Sequence, residues 1–424
     1  MRGARLAYLG AVLAVAVAGA ACVEHLTAPG RCPNFCPSHR DTVLDVVLSG
    51  SISRDSAFRG YVVPHEAAVM LAAESIPGVP DSRAIFRFSG VGPRLPIRTN
   101  DTTTGPVQGA DSAMLRLFIT RRDTAATNLT LRLYQLPITI DTTTTFADLT
   151  WSSTDSLRSV NIGQLLAQPG LRDPVTGDSV VVDTTNHRLL LLLKLDATQG
   201  RYVAADSGKV AYGIRVSADT LATIALGKGD LGPLLQWYLV VDSLGTPQKQ
   251  TPLLRSAPVA TFVFDPPLPP LDSTLAVGGV PSARSFLRVT FPRAIRDSSQ
   301  IVRGTLVLVP AVAARGAPVD SFVVEAHTVL ADFGAKSPLA LDVTRTDTTL
   351  IRIGKIGKTD TVRIDITNLL QFWQSDTTRA TTLALRAQQE GADFAEIRFY
   401  PSAAAPSAPA LQITYVPRYP FGKP

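Results

Sequence analysis

The sequence has little glutamate and little lysine, and this scarcity limits the folds that it can adopt. Among its 424 residues are six Glu and eight Lys, whereas Thr, Val and Asp are abundant. Glu and Lys commonly fill the exposed faces of helices, while β-branched residues favour strands. The composition therefore argues against a helical bundle or a coiled coil and predicts an all-β protein.

A strong charge of one sign is also missing. The formal net charge is +6, with 45% hydrophobic and 18% charged residues. This hydrophobic fraction supports a packed core and excludes wholesale disorder, and the length suggests two or three domains. Lys and Arg neither cluster nor alternate with aromatic residues. The sequence therefore predicts no nucleic-acid partner.

One long apolar run exists, and it lies at the N-terminus over residues 6–21. Two arginines precede this run of 16 residues, and Cys22 follows it. The pattern is typical of a secretory signal, and the run is shorter than the roughly 20 residues of a membrane-spanning helix. Cleavage after Ala18-Gly19-Ala20 and lipoprotein processing before Cys22 are both compatible with it. The segment Gly19-Ala20-Ala21-Cys22 resembles a bacterial lipobox, with Gly19 where Leu is usual.

Cysteine is scarce, and the odd count is informative. The chain contains only Cys22, Cys32 and Cys36. An exported protein with an odd thiol needs a use for it, and lipidation of Cys22 provides one. We then expect Cys32 and Cys36 to form a disulfide, the default in an oxidising compartment. A Cys2His2 zinc site with His25 and His39 is the alternative, although its spacing fits no known zinc finger.

Beyond a Pro-rich tether, the chain consists of short strand patterns. Leucine and arginine alternate in residues 115–117 and 131–133, so the arginines should face solvent. Asp-Thr tracts such as 101–106 and 141–145 are predicted loops, because these side chains bond their own backbone. Many short strands joined by such loops predict antiparallel β-sandwiches.

The strand patterns occur twice, on either side of four prolines in residues 264–270. Residues 285–289 match residues 84–88 in character, and later strands follow in the same order. We therefore predict two tandem antiparallel, jelly-roll-like β-sandwich modules after a cleaved signal peptide. The predicted boundaries are signal peptide 1–21, tether 22–41, first module 42–263, Pro-rich linker 264–281, second module 282–417 and tail 418–424.

Three segments of the second module carry a family resemblance. They are the strand Phe286-Leu287-Arg288-Val289, the strand and amphipathic helix of 362–373 that ends in Trp373, and the closing strands of 397–415. Residues 282–416 resemble the DNRLRE module, a β-sandwich related to carbohydrate-binding modules of exported proteins. Residues 82–262 resemble it more weakly, with a Thr-Trp element at Trp151. The resemblance implies a sandwich fold and a sugar ligand.

Catalytic patterns are absent around the histidines outside the tether. His65, His187 and His327 lie in neither a G-x-S-x-G nor an H-E-x-x-H context. The alternation from Val323 to His327 predicts a strand in which a neighbouring group satisfies the histidine. We predict no catalytic residue.

The three tryptophans are the candidate sugar-stacking residues. Trp373 ends an apolar helical stripe and Trp237 lies in an apolar strand, so both are predicted core residues. Trp151 remains as the candidate ligand-binding residue. The loop 172–178 could offer oxygen atoms to Ca²⁺, although it lacks the EF-hand pattern. No other cofactor or metal is predicted.

The sequence therefore predicts an exported bacterial lipoprotein of the outer membrane or cell surface. Its partners would be the membrane, through Cys22, and an envelope or environmental polysaccharide. A non-catalytic structural or adhesive envelope protein is the first alternative. A polysaccharide-active hydrolase or lyase is the second.

Overall fold

A computed structural model describes residues 43–76, 79–97, 102–149, 151, 155–249, 252–265, 271–316, 321–331, 340–353, 356–357 and 360–418. The predicted signal peptide, Cys22, Cys32, Cys36 and residues 419–424 lie outside the described residues, as do His25 and His39. Strands dominate the described chain, and every pair of them is antiparallel. The all-β prediction is confirmed.

The strands are numbered here in chain order. They are β1 Leu44–Ser49, β2 Ile52–Arg59, β3 Val69–Ile76, β4 Val79–Phe88, β5 Arg94–Pro96, β6 Thr104–Arg122, β7 Thr130–Leu136, β8 Arg158–Asn161, β9 Ser179–Asp183, β10 Arg188–Asp196, β11 Val210–Ser217, β12 Ala222–Gly227, β13 Leu234–Ser243, β14 Thr246–Lys249, β15 Leu253–Ser256, β16 Val259–Asp265, β17 Leu275–Gly278, β18 Ala283–Val289, β19 Ser299–Leu308, β20 Ser321–Ala331, β21 Ala340–Arg352, β22 Val362–Asp365, β23 Thr382–Ala387, β24 Glu396–Phe399 and β25 Ala410–Pro417.

Helices are few and short. The described residues form three α-helices, α1 Ile162–Ala167, α2 Arg293–Ser298 and α3 Thr367–Ser375, and single 3-10 turns at Phe146–Asp148, Pro169–Leu171, Ala204–Asp206 and Gly229–Leu231. Helix α3 buries Leu369, Leu370, Phe372 and Trp373. The prediction that Trp373 fills the core is therefore confirmed.

The first sandwich is a 14-stranded sheet that packs against itself. Its main path runs β14-β13-β6-β12-β3-β4-β11-β7-β8, with β10 and β16 on side branches. Inward residues from both halves form one core, which contains Phe86 and Tyr212 from one side and Leu115 and Trp237 from the other. Trp237 is fully buried and donates its Nε1 proton to the carbonyl of Gly200 at 2.6 Å, so its predicted core position is confirmed.

The second sandwich pairs two separate sheets. A 4-stranded sheet, β1-β25-β19-β22, faces a 7-stranded sheet, β21-β20-β23-β18-β17-β24, in which β2 also pairs with β18. Alternate residues such as Leu306 and Ile413 from one sheet meet Leu287 and Leu385 from the other in a common core. This inward and outward alternation is the period of two that strands impose.

The two sandwiches are nested along the chain, which corrects the predicted domain boundary at residue 42. Strand β1 pairs with β25, with Leu44 opposite Tyr415, and β2 pairs with β18, with Arg59 opposite Ala283. Residues 44–59 therefore belong to the second sandwich, not to the first. Pattern alone missed this, because alternation shows that a strand has a buried face but not which sheet it joins.

Two further boundaries differ from the predicted ones. Strand β17 lies inside the predicted linker 264–281, yet its four residues are buried and pair with β24. Strand β6 begins at Thr104, within the tract 101–106 that was predicted to be a loop. In both places pairing with a neighbouring strand outweighs the local turn preference of Pro, Asp and Thr.

Candidate functional site

The two sandwiches meet at a junction that is apolar at its centre. Phe394 of the second sandwich contacts Phe262 and Phe264 of β16 edge-on, with ring centroids 6.0 and 5.7 Å apart. At the rim, Arg121 at the end of β6 places Nη1 2.9 Å from Asp393 Oδ2 and donates from Nη2 to the carbonyl of Ala392. The junction is therefore built from an aromatic contact and an ion pair.

A cleft of about 180 Å³ opens beside this ion pair, and we call it the junction cleft. Its floor includes buried Phe322, and exposed Leu350 stands at its edge. Both sandwiches contribute walls, which consist of Arg121, Gly278, Gly279, Ser321, Val323, Ala387, Gln388, Gln389, Gly391, Ala392, Asp393 and Ala395.

The amide side chains of the junction cleft are free to bind. Gln388 and Gln389 are both exposed and follow directly after β23. Within the described part of the chain, neither side chain has a hydrogen-bond partner. Each amide offers two donors and a carbonyl acceptor. The two amides and the apolar side chain of Leu350 suit a small ligand that carries both hydroxyl groups and an apolar face.

Next to the cleft, a chain of ion pairs crosses the outer face of the 7-stranded sheet. Arg284 of β18 holds Glu390 with two hydrogen bonds of 2.8 and 2.6 Å. Arg386 of β23 lies 3.8 Å from Glu390 and 2.9 Å from Glu325 of β20. Strands β18, β23 and β20 are therefore linked by side chains in addition to their backbone bonds. We call this set the ionic network.

His327 ends the ionic network and is almost fully buried. Its Nε2 lies 2.9 Å from Glu325 Oε2, and its Nδ1 lies 3.1 Å from the carbonyl oxygen of Asp342. The prediction that a neighbour satisfies this strand histidine is confirmed. His65 lies in the loop before β3 and His187 in the β9–β10 turn, and no contact joins the three histidines within the described residues.

The ionic network lowers the pKa of Glu325. Burial acts to raise the pKa of Glu325, but hydrogen bonds from His327 and Arg386 and the charge of Arg386 outweigh it, so the pKa is lowered. A general acid needs a carboxyl group with a raised pKa. Glu325 has the opposite shift and so lacks this property of a general acid, and Glu390 is bound by an arginine fork.

Trp151, the candidate ligand-binding residue, lies in a small second core. Its ring centroid is 4.9 Å from that of Tyr134, and the guanidinium of Arg83 sits over it at 4.9 Å. The ring also covers the backbone of Gly213, where an added Cβ would come within 2.0 Å of it. The ring therefore packs against the outer face of the first sandwich. Ligand binding by Trp151 stays a prediction.

The loop 172–178 uses its carboxylates internally. Asp173 accepts hydrogen bonds from the backbone N–H groups of Val175 and Thr176, which lower its pKa. Asp178 is buried and accepts from Arg158 Nε and from the N–H of Lys194. The guanidinium of Arg158 thus supplies Asp178 with the positive charge that a calcium ion would supply. The described residues contain no group of three or more His, Cys, Asp or Glu side chains that could hold a metal ion.

Sequence reasoning missed the junction cleft because its residues are far apart in the chain. Arg121 belongs to the first sandwich, while Gln388 and Gln389 belong to the second. The only local signal is the polar run of residues 388–390, which by itself is typical of an exposed turn. In the described chain, no helix combines the length and the hydropathy needed to cross a membrane.

Comparisons with known proteins leave the family open. No family model matches the sequence, and no curated protein matches it. Two solved structures align at 9% identity, one titled "BspA_C_WT" and one the Streptococcus agalactiae AgI/II polypeptide BspA C-terminal domain. They cover 82% and 83% of this chain and 91% of their own, with TM-scores of 0.13 and 0.12. With scores this low, neither fold nor function is transferred from these proteins.

Proposed function

We propose that this protein is an extracytoplasmic binding protein of the bacterial envelope that holds a saccharide unit in the junction cleft and performs no catalysis. The observation that carries the proposal is a pair of amides, Gln388 and Gln389, that have no partner among the described residues and lie beside an apolar edge in a preformed cleft. Neutral sugars present hydroxyl groups around an apolar ring face. Amides and an apolar contact are the groups that match this chemistry.

The size of the cleft supports one small ligand unit. Pockets that enclose drug-sized ligands hold about 300–1,000 Å³, whereas the junction cleft holds about 180 Å³. A single ring of a polysaccharide fits that scale better than a nucleotide cofactor does. Because the cleft is open, the rest of the polymer can continue into solvent.

The ionic network supports binding over catalysis. Arg284 and Arg386 form ion pairs with its two glutamates, and the pKa of Glu325 is lowered. In this proposal the network stiffens the sheet that carries the cleft. A ligand then meets a preorganised wall, which reduces the entropy lost on binding.

The binding test uses the chain from residue 23 onward and a panel of neutral polysaccharides in affinity electrophoresis. The variant Gln388→Ala/Gln389→Ala should lose about tenfold or more of the wild-type affinity, because each lost hydrogen bond contributes about 0.5–1.5 kcal/mol. The matched control, Gln108→Ala/Gln300→Ala, removes two exposed amides elsewhere and should bind normally.

Other outcomes would select the alternatives. Release of shortened saccharides by the purified protein would overturn the proposal in favour of a hydrolase or lyase. Absence of binding together with an envelope defect on deletion of the protein would favour a structural or adhesive role.

The envelope location is tested separately at Cys22. In this proposal the N-terminal run directs export, and acyl chains on Cys22 hold the protein at the membrane. We expect the Cys22→Ser variant to leave the membrane fraction when cells are fractionated. Retention at the wild-type level would contradict the lipid anchor but not the binding role of the junction cleft.

A further inference from the structure

A second pocket, of about 250 Å³, lies on the first sandwich and has no residue in common with the junction cleft. It opens between the end of β7 and the loop that precedes β11. Leu136 and Val210, both buried, are among the residues that line it. Its rim carries Gln135, Arg201, Asp206 and Lys209. We call it the basic pocket.

Both walls of the basic pocket are fixed by hydrogen bonds. Arg87 Nη1 donates to the carbonyls of Ile138 and Ile140, each at 2.8 Å, and so holds the wall after β7. The opposite wall turns through Gly208, which has a φ of +64° and lies so close to Val91 that a Cβ would meet its carbonyl oxygen at 2.5 Å. The pocket is therefore formed before any ligand binds.

The charges of the basic pocket are not used within the fold. Arg201 and Lys209 are exposed. In the described part of the chain, neither forms an ion pair, and Asp206 forms none either. Arg158 and Arg284, by contrast, each form an ion pair with a carboxylate of the fold. Two cations and one anion at the rim give the pocket a net charge of +1.

This set of groups selects a particular kind of anion. A guanidinium presents a planar fork that matches a carboxylate, and an ammonium adds a second positive charge. Asp206 repels dianions such as phosphate, but it can accept hydrogen bonds from hydroxyl groups. The matching ligand is thus a carboxylate that also carries hydroxyl groups.

We infer that the basic pocket binds a carboxylate-bearing sugar, such as a hexuronate unit of an acidic polysaccharide. Arg201 and Lys209 hold the carboxylate, and Asp206 and Gln135 bind hydroxyl groups. The inference goes beyond the proposed function, since it concerns a different module and a charged ligand.

The test is isothermal titration of the whole chain from residue 23 with trigalacturonate, which carries one carboxylate on each ring, and with its methyl ester, in which each carboxylate is replaced by an uncharged methyl ester. The wild type should bind the acid at least about tenfold more tightly than the ester, since hydrogen bonds to charged groups contribute most. Arg201→Gln/Lys209→Gln should weaken binding of the acid to the level of the ester. The same variant should leave binding of the ester unchanged.

A matched control separates a site from general attraction between opposite charges. Arg172 and Lys194 are also two exposed, neighbouring basic residues of the first sandwich, both near Gly177. Arg172→Gln/Lys194→Gln changes the net charge equally and should not alter the affinity for trigalacturonate. Equal losses in the two double variants would overturn the inference, and so would absence of trigalacturonate binding to the wild type.

Inorganic phosphate distinguishes an acidic-sugar site from a generic anion site. We expect phosphate to compete poorly with trigalacturonate in the wild type, and to compete better in Asp206→Asn. Strong competition in the wild type would overturn the assignment to a carboxylate. Because Gln388→Ala/Gln389→Ala leaves the basic pocket intact, failure of the junction cleft would not affect these results.

Discussion

At the scale of single residues, Gly213 shows how a missing side chain creates a packing site. It lies in β11, where the outer face of the strand is covered by the ring of Trp151. Any Cβ at this position would overlap the indole, whose Cη2 would lie 2.0 Å away. Glycine is therefore required here because the indole approaches so closely. Backbone conformation does not require it, since the φ of Gly213 is not in the left-handed region.

We expect Gly213→Ala to displace Trp151 and to lower the free energy of unfolding by about 1–3 kcal/mol, the usual cost of overpacking. Urea denaturation followed by tryptophan fluorescence measures both effects. Gly109→Ala is the control, because a Cβ at Gly109 meets nothing within 4 Å. A stable Gly213→Ala protein with unchanged fluorescence would contradict this account of Trp151.

Residue-level predictions succeeded where local pattern decides the outcome. The alternation around His327 predicted a strand side chain with a partner, and Glu325 two residues earlier is that partner. The helical spacing of Leu369, Leu370 and Trp373 predicted a buried stripe. Each of these conclusions depends only on the period of a strand or helix, which the sequence carries directly.

At the scale of elements, the ionic network joins neighbouring strands of the 7-stranded sheet. Glu325 is 94% buried in the fold, with an exposed fraction of 6%, and its carboxylate contacts both His327 and Arg386. Removing one partner of a buried ion pair lowers the stability of the fold more than removing both, because the single loss leaves an uncompensated charge.

We therefore expect Glu325→Leu to reduce the free energy of unfolding by about 3–5 kcal/mol. The double variant Glu325→Leu/Arg386→Met should recover much of that loss, because it also removes the guanidinium that has lost its nearer carboxylate. A double-mutant cycle in chemical denaturation measures the coupling. Additive losses would show that the two side chains do not act as a pair.

At the scale of the whole molecule, the first sandwich is an insertion in the second. The chain leaves the second sandwich after Arg59 and returns at Leu275. Arg59 and Gly278 are both paired with Ala283, on opposite sides of β18. Adjacent strands lie about 4.8 Å apart, so Arg59 and Gly278 are separated by only about 10 Å, and the exit and the return lie on neighbouring strands of one sheet.

This arrangement predicts that the second sandwich folds without the first. A chain in which residues 60–274 are replaced by about six Gly and Ser residues should unfold cooperatively, because β1 and β2 remain in place. The fragment 271–418 should not, since it lacks β1 and β2 and exposes the edges of β25 and β18. Circular dichroism during thermal unfolding distinguishes the two, and a cooperative transition in the fragment alone would contradict the pairing of residues 44–59.

The sequence by itself determined the class of fold, the turns at Asp-Thr tracts such as that of Asp141, and the burial of Trp237 and Trp373. These features follow from side-chain period and from bonds between near neighbours, such as those that Asp141 accepts from Thr143 and Thr144. Only the tertiary structure decided that residues 44–59 close the second sandwich and that Arg121 meets Asp393. Such contacts join residues more than 200 positions apart, and strand pairing of this kind is chosen by complementary faces, not by any local pattern.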